Sequence, residues 1–173
     1  MTLPTIQVLA ISKNSEAPTN GLKKSGNDHL YLFQKESVDW EIVEDPKWAK
    51  MNINNKKNTF VFNAHGLTPD ADFELICYLD PWPGEGSIIL GTGTSDAEGN
   101  IHIKKEIDVV SLHAEALAKF ENYPAETVLE EGSKIWLVPA ADFDETETQQ
   151  KMVAWNPDQI LFEFDLLNQP PTE

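Results

Sequence analysis

The sequence predicts an all-β fold, an antiparallel β-sandwich with one short helix. Short apolar or alternating segments recur along the chain, and Gly, Pro, Asn and Asp separate them. Pro81 and Pro83 close one such segment, because a ladder of hydrogen bonds cannot continue through proline. The chain has 173 residues, 40% of them hydrophobic, which is enough for one core. We expect a single domain over 1–168 and a flexible tail over 169–173.

The predicted strands are short apolar runs or alternate between apolar and polar residues. In chain order they are 6–11, 30–33, 40–43, 47–53, 59–63, 72–79, 87–94, 100–107, 134–139 and 159–166. Within 47–53, the alternation places Ala49 and Met51 on the face opposite Trp48. Apolar residues recur at helical spacing around 112–120, so the short helix is expected there.

Charge narrows the classes of partner. The chain carries 29 acidic and 13 basic residues, for a formal net charge of −16, and every basic residue is a lysine. Such a surface repels the phosphates of nucleic acids and anionic membranes. Apolar runs are also too short to cross a bilayer. The sequence therefore predicts neither a nucleic-acid partner nor membrane insertion, and its acidity is compatible with bound cations or simply with solubility.

Several stretches resemble extracellular β-sandwich modules. The stretch AHGLTPDADFELICYLD is similar to a turn and strand of fibronectin type III and immunoglobulin-like domains, and GTGTSDAEGNIHI resembles a hairpin of secreted bacterial modules. Together with WEIVEDPKWAKMNI, SKIWLVPAADFD and AWNPDQILFEFDLL, they look like an uncharacterised secreted or cell-surface family of methanogenic archaea and some bacteria. This resemblance implies an exported antiparallel β-sandwich of the immunoglobulin-like or fibronectin-like type, without known catalytic residues. A secreted or cell-surface location is expected; because no export signal is visible in this chain, a cytoplasmic location is the alternative.

One acidic segment is a candidate metal site. Asp142, Asp144, Glu145 and Glu147 fall within six residues on a predicted loop. Calcium takes six to eight oxygen ligands, which clustered loop carboxylates and carbonyls supply. The spacing does not match an EF-hand. We predict calcium as the candidate cofactor here; the alternative is a set of aspartates chosen for turn geometry.

Two tryptophans are candidate ligand-binding residues. Trp82 lies between two prolines on a predicted exposed loop, directly after Pro81 and close to Asp80. Trp155 begins a turn of Asn, Pro and Asp. An exposed indole beside a carboxylate can stack on a glycan or a peptide and hydrogen-bond to it. The alternative is that each tryptophan covers an end of the core.

The sequence contains no motif of nucleophilic or phosphate chemistry. G-x-S-x-G, the P-loop and G-x-G-x-x-G are missing, and the four histidines show no metal-ligand spacing. The predicted function is a non-catalytic extracellular or cell-surface module for binding or structural adhesion, with an unknown protein or glycan partner. The alternatives are a small carboxylate-dependent hydrolase, a carbohydrate-binding module, and a subunit of an extracellular assembly.

Overall fold

The computed structural model describes residues 29–54, 57–106, 134–146 and 150–163. Ten strands lie in these ranges, and two three-residue 3-10 helices, at Ala140–Asp142 and Pro157–Gln159, connect the last of them. The strands are β1 His29–Phe33, β2 Trp48–Asn54, β3 Thr59–His65, β4 Asp72–Tyr78, β5 Ile88–Thr94, β6 Ile101–Glu106, β7 Lys134–Pro139, β8 Phe143–Asp144, β9 Lys151–Met152 and β10 Leu161–Glu163.

Eight strands form one antiparallel sheet that curls until its two edges meet. The strand order is β5-β4-β7-β10-β1-β2-β3-β6, and β8 pairs separately with β9. The edge strands β5 and β6 lie against each other. A Cβ added to Gly91 of β5 would stand 2.8 Å from Cγ2 of Ile103 on β6. The missing side chain at Gly91 is therefore what lets the sheet close this tightly.

The principal core lies inside the curled sheet. Each strand contributes every second residue, because successive side chains of a strand point to opposite faces. β3 shows this best: Phe60, Phe62 and Ala64 are buried while the residues between them are half-exposed. The other large members of the principal core include Leu30, Leu32, Met51, Phe73, Leu75, Ile101, Ile103, Ile135, Leu137 and Leu161.

A second, smaller core lies on the outer face of β4, β7 and β10. Ile76, Trp136 and Phe162 point outward from these strands and are buried. The hairpin of β8 and β9 covers them with Phe143 and Met152. Both faces of this part of the sheet are therefore apolar, and the sheet is locally backed by a second layer.

The sequence prediction of an antiparallel all-β fold is confirmed. The finer prediction of an immunoglobulin-like two-sheet sandwich is not confirmed, since eight strands share one hydrogen-bonded sheet. The prediction of a strand at 40–43 is wrong. This segment is part of the β1–β2 loop, where one isolated bridge joins Lys35 and Ile42. Ala49 and Met51 are buried as predicted.

Several predictions fall outside the described residues. These are the strand at 6–11, the helix at 112–120 and the tail at 169–173. The single-domain boundary stays a prediction for the same reason. In the described part of the chain, neither short helix has the length and apolar composition needed to cross a membrane.

Candidate functional site

Three buried aromatic rings form a base on the outer face of the sheet. Tyr78, Trp136 and Phe162 belong to the adjacent strands β4, β7 and β10, and Phe162 pairs directly with Trp136. The rings of Tyr78 and Trp136 stack with centroids 3.7 Å apart and planes 10° apart. Phe162 meets Trp136 edge to face at 5.1 Å. Exposure of at most 5% for each residue makes this a rigid foundation.

Three exposed tryptophans converge on this base, and we call Trp40, Trp82 and Trp155 the tryptophan cluster. Trp155 is its centre, with ring centroids 6.1 Å from Trp40 and 5.4 Å from Trp82. It also contacts Trp136 at 6.2 Å. The three members keep 46%, 48% and 39% of their surface accessible in chain order. The cluster is thus an aromatic surface backed by buried rings.

The loop that carries Trp82 is held by internal hydrogen bonds. The Gly84 amide donates to the Pro81 carbonyl at 2.8 Å, and the buried Ser87 hydroxyl donates to the Gly84 carbonyl at 2.7 Å. Gly84 has φ +76°, and a Cβ there would come within 2.4 Å of the Tyr78 ring. Only glycine allows the loop to lie this close to the aromatic base.

Trp155 is positioned by a buried carboxylate. The carbonyl of Asp142 accepts hydrogen bonds from the amides of Val153 and Ala154, at 2.8 and 3.4 Å. Its carboxylate accepts the Asn156 side-chain amide at 2.8 and 2.9 Å. Asp142 therefore ties down the chain on both sides of Trp155.

Trp40 has an uncommon backbone conformation. Its φ is +61°, in the left-handed region that bulky side chains rarely adopt. The Glu36 carbonyl accepts the Trp40 amide at 3.2 Å, and Glu36 in turn donates its amide to the Glu41 carbonyl at 2.8 Å. The ring then packs edge to face on Phe162 at 5.1 Å. Such strain persists where the surrounding structure holds it, often at binding sites.

Ion pairs border the cluster. Lys134 binds the carboxylate of Asp80, two residues before Trp82, and Lys151 lies 3.6 Å from Glu85. Beneath them, burial raises the pKa of Glu163 to about 7, while nearby lysines partly oppose this. Oε2 of Glu163 and Nε1 of Trp136 are both buried, and the contact of the Trp136 side chain with the Glu163 carboxylate also opposes the rise in this pKa.

The structure brings two of the sequence candidates together. Trp82 and Trp155 are ring neighbours, and Asp80 lies at the edge of the same surface through its ion pair with Lys134. Trp40 is the residue that sequence reasoning misses, because its alternating neighbours predict a strand. Its signal is the preceding Ser-Val-Asp, a polar turn sequence interrupted by one exposed valine.

The predicted calcium residues separate into different environments. Asp142 is 5% exposed, and its carboxylate accepts a hydrogen bond from the Asn156 side-chain amide. The carboxylate of Asp144 instead accepts a hydrogen bond from the Thr146 backbone amide at 2.9 Å. That backbone hydrogen bond is the main reason why the pKa of Asp144 lies below its ordinary value. Glu147 lies outside the described residues. In the ranges that are described, no three metal-ligating side chains group together, and the calcium site stays a prediction.

A carboxylate pair lies beneath the start of the same segment. Glu74 of β4 is 1% exposed, and its Oε2 has no hydrogen-bond partner in the described residues. Burial, together with a hydrogen bond to Glu145 and its charge, raises the pKa of Glu74 to about 8. Near neutral pH Glu74 is therefore protonated, and its side chain is inaccessible to a substrate.

An open cavity of about 410 Å³ lies at another place on the sheet. Its lining is Asn54, Lys57, Thr59, Lys104, Lys105 and Glu106. With three lysines and one carboxylate, it differs in charge from the rest of this acidic protein. The lining does not supply the paired carboxylates that hydrolytic chemistry of the predicted kind needs.

Comparison with family models, with curated proteins and with solved structures finds no match to this chain. The geometry of the tryptophan cluster and its surroundings is therefore the basis for assigning a function.

Proposed function

We propose that this protein is a non-catalytic binding module whose ligand docks on the tryptophan cluster. The observation that carries the proposal is the convergence of Trp40, Trp82 and Trp155 from three different chain segments onto one buried aromatic base. Contiguous exposed apolar surface is unusual in soluble proteins and typically marks an interaction site. Tryptophan in particular is enriched among the residues that dominate binding energy.

The preorganisation of the tryptophan cluster supports a role in binding over simple coverage of the core. The cluster covers Trp136 and Phe162, yet its three members keep 39–48% of their own surface accessible, which coverage of the core alone does not require. Each member is also held in place before a ligand arrives, Trp40 by its contact with Phe162, Trp82 by the Ser87 loop and Trp155 by Asp142. A rigid surface loses little conformational entropy on binding, and this increases affinity.

Two alternatives have weaker support. A carboxylate-dependent hydrolase gains no support from Glu74, because this carboxyl group with its raised pKa has a side chain that is only 1% exposed. An assembly built by edge-strand pairing would need a free edge, whereas the edge strands β5 and β6 face each other at Gly91 and Ile103. The secreted or cell-surface location and the immunoglobulin-like classification rest on the sequence resemblance alone and are proposed on that basis.

The test compares wild type with Trp82→Ala and Trp155→Ala on immobilised panels of neutral oligosaccharides and short peptides. We expect wild-type binding to at least one panel member to fall by about tenfold or more in both variants. Trp48→Phe is the matched control, since Trp48 packs with Tyr31 and His65 on another part of the sheet. Binding that is equal in all four proteins, or no wild-type binding at millimolar concentration, would overturn the proposal.

A further inference from the structure

The segments that carry the tryptophan cluster are strongly acidic. Residues 34–47, which include Trp40, contain five acidic residues and two lysines. Residues 79–87, which include Trp82, contain Asp80 and Glu85 and no lysine. Asp39 and Glu41 flank Trp40 directly and are exposed. The surface that would meet a ligand is therefore negative as well as aromatic.

The lysines on these segments and beside them already have partners. Lys134 pairs with Asp80, and Lys151 pairs with Glu85. Lys47 donates to the Asp158 carbonyl at 2.7 Å and to Gln159. Lys35 is half-buried and lies close enough to Glu163 to interact with its charge. These contacts leave the acidic excess around Trp40 as the charge that an approaching ligand experiences.

Negative charge and exposed indole faces favour the same kind of ligand. The face of an indole attracts cations, and tryptophan does so best among the aromatic side chains. An anionic ligand would be repelled by the net charge of −16, and a neutral one would not use it. Arginine suits such a site especially well because its planar guanidinium both stacks on rings and pairs with carboxylates.

The spacing of the rings fits the side-chain repeat of an extended chain. Neighbouring centroids in the cluster are 6.1 and 5.4 Å apart. Side chains on one face of an extended peptide recur about every 6.6 Å, which is two residues at about 3.3 Å each. Alternate side chains of one bound strand can therefore reach successive rings, whose planes are inclined by 57° and 84°.

We infer that the ligand of the tryptophan cluster is a basic, extended peptide segment whose arginine or lysine side chains lie over Trp40, Trp82 and Trp155. This inference rests on the proposed function and specifies its ligand class. The acidic residues around Trp40 steer the segment, and the rings bind its cationic groups.

The test uses two peptides that differ only in charge, acetyl-Gly-Arg-Gly-Arg-Gly-Arg-Gly-amide and the same sequence with citrulline for arginine. Binding is followed by calorimetry at low and at physiological salt. We expect the arginine peptide to bind saturably. The affinity of the citrulline peptide should be lower by about tenfold or more. Affinity falls as salt rises. Trp82→Ala and Trp155→Ala lose this binding and Trp48→Phe retains it.

A charge comparison tests the steering separately. The double variant Asp39→Asn/Glu41→Gln should bind the arginine peptide with about threefold lower affinity at low salt. Glu106→Gln, on β6 opposite Thr59 and in the lining of the lysine-rich cavity, should leave this binding unchanged.

The outcomes separate this inference from the proposed function. Equal, tryptophan-dependent binding of both peptides would overturn the cationic ligand and keep the binding module. So would tryptophan-dependent binding of a neutral oligosaccharide without binding of the arginine peptide. Arginine-peptide binding that survives Trp82→Ala and Trp155→Ala would mean non-specific attraction to an acidic protein and would overturn the inference. If neither peptide nor any oligosaccharide binds, both proposals fail.

Discussion

The indole rings of Trp82 and Trp155, which lie far apart in the chain, meet edge to face with centroids 5.4 Å apart and planes at 84°. Their contact joins the β4–β5 loop to the segment that precedes β10. Because the Met152 amide also donates to the Pro83 carbonyl at 2.9 Å, backbone and rings connect these two parts of the chain together. The surface proposed for binding is therefore built on contacts that also stabilise the fold.

Substitutions in the buried base should lower the stability of the fold more than substitutions in the exposed tryptophan cluster. Trp136→Ala removes a ring that is 5% exposed and stacked on Tyr78, so we expect the free energy of unfolding to fall by about 3–5 kcal/mol. Trp82→Ala, at a position 48% exposed, should cost less than about 1 kcal/mol. Urea unfolding measures both. Similar losses for the two variants would contradict the division into base and surface.

Closure of the sheet should depend on Gly91. A methyl group at Gly91 would collide with Cγ2 of Ile103 at 2.8 Å, so Gly91→Ala should lower the free energy of unfolding by about 1–3 kcal/mol. At Gly93 the closest approach is 3.2 Å, and Gly93→Ala should cost less. In an Ile103→Ala background the cost of Gly91→Ala should largely vanish. An additive double-mutant cycle would argue against this contact.

Glu74 should make stability depend on pH. Its folded pKa of about 8 lies above the ordinary value of 4.5, so its contribution is full below pH 4.5 and is lost as pH rises through 8. Glu74→Gln stays neutral and should be more stable than wild type by about 1–4 kcal/mol at pH 9. Near pH 4 the two proteins should be equally stable.

The control for this experiment is Glu98→Gln, an exposed substitution on the β5–β6 loop. It should follow wild type at every pH. Glu163, with a folded pKa of about 7, adds a loss in the same direction, so urea unfolding of each variant is compared with wild type at the same pH. If Glu74→Gln parallels wild type from pH 4 to pH 9, Glu74 is charged in the folded protein.

The calcium prediction is tested by thermal melting after chelation, with calcium or magnesium restored. A folded-state site should raise Tm by several degrees with millimolar calcium but not with magnesium. Asp144→Asn is the better variant to abolish the rise, because Asp142→Asn would also disturb the hydrogen bonds to Asn156. Equal Tm with and without calcium would rule the site out.

Prediction from sequence works here where the signal is local. The alternation that buries Phe60, Phe62 and Ala64 is a period of two along one strand, so β3 is visible without a structure. The same reasoning fails at 40–43, where a short alternating run predicts a strand but Trp40 takes a left-handed turn conformation. Short runs cannot distinguish the two, because partners elsewhere in the chain decide between them.

The sequence by itself determined that this protein is an acidic antiparallel β structure and that Trp82 and Trp155 were worth considering, since composition and side-chain periodicity are properties of neighbouring residues. Only the tertiary structure decided that these two rings touch, that Trp40 joins them, and that Glu74 is buried beside Glu145. The physical reason is that each of these contacts depends on strand order and curvature. Those follow from the packing of the whole core, and no short segment specifies them.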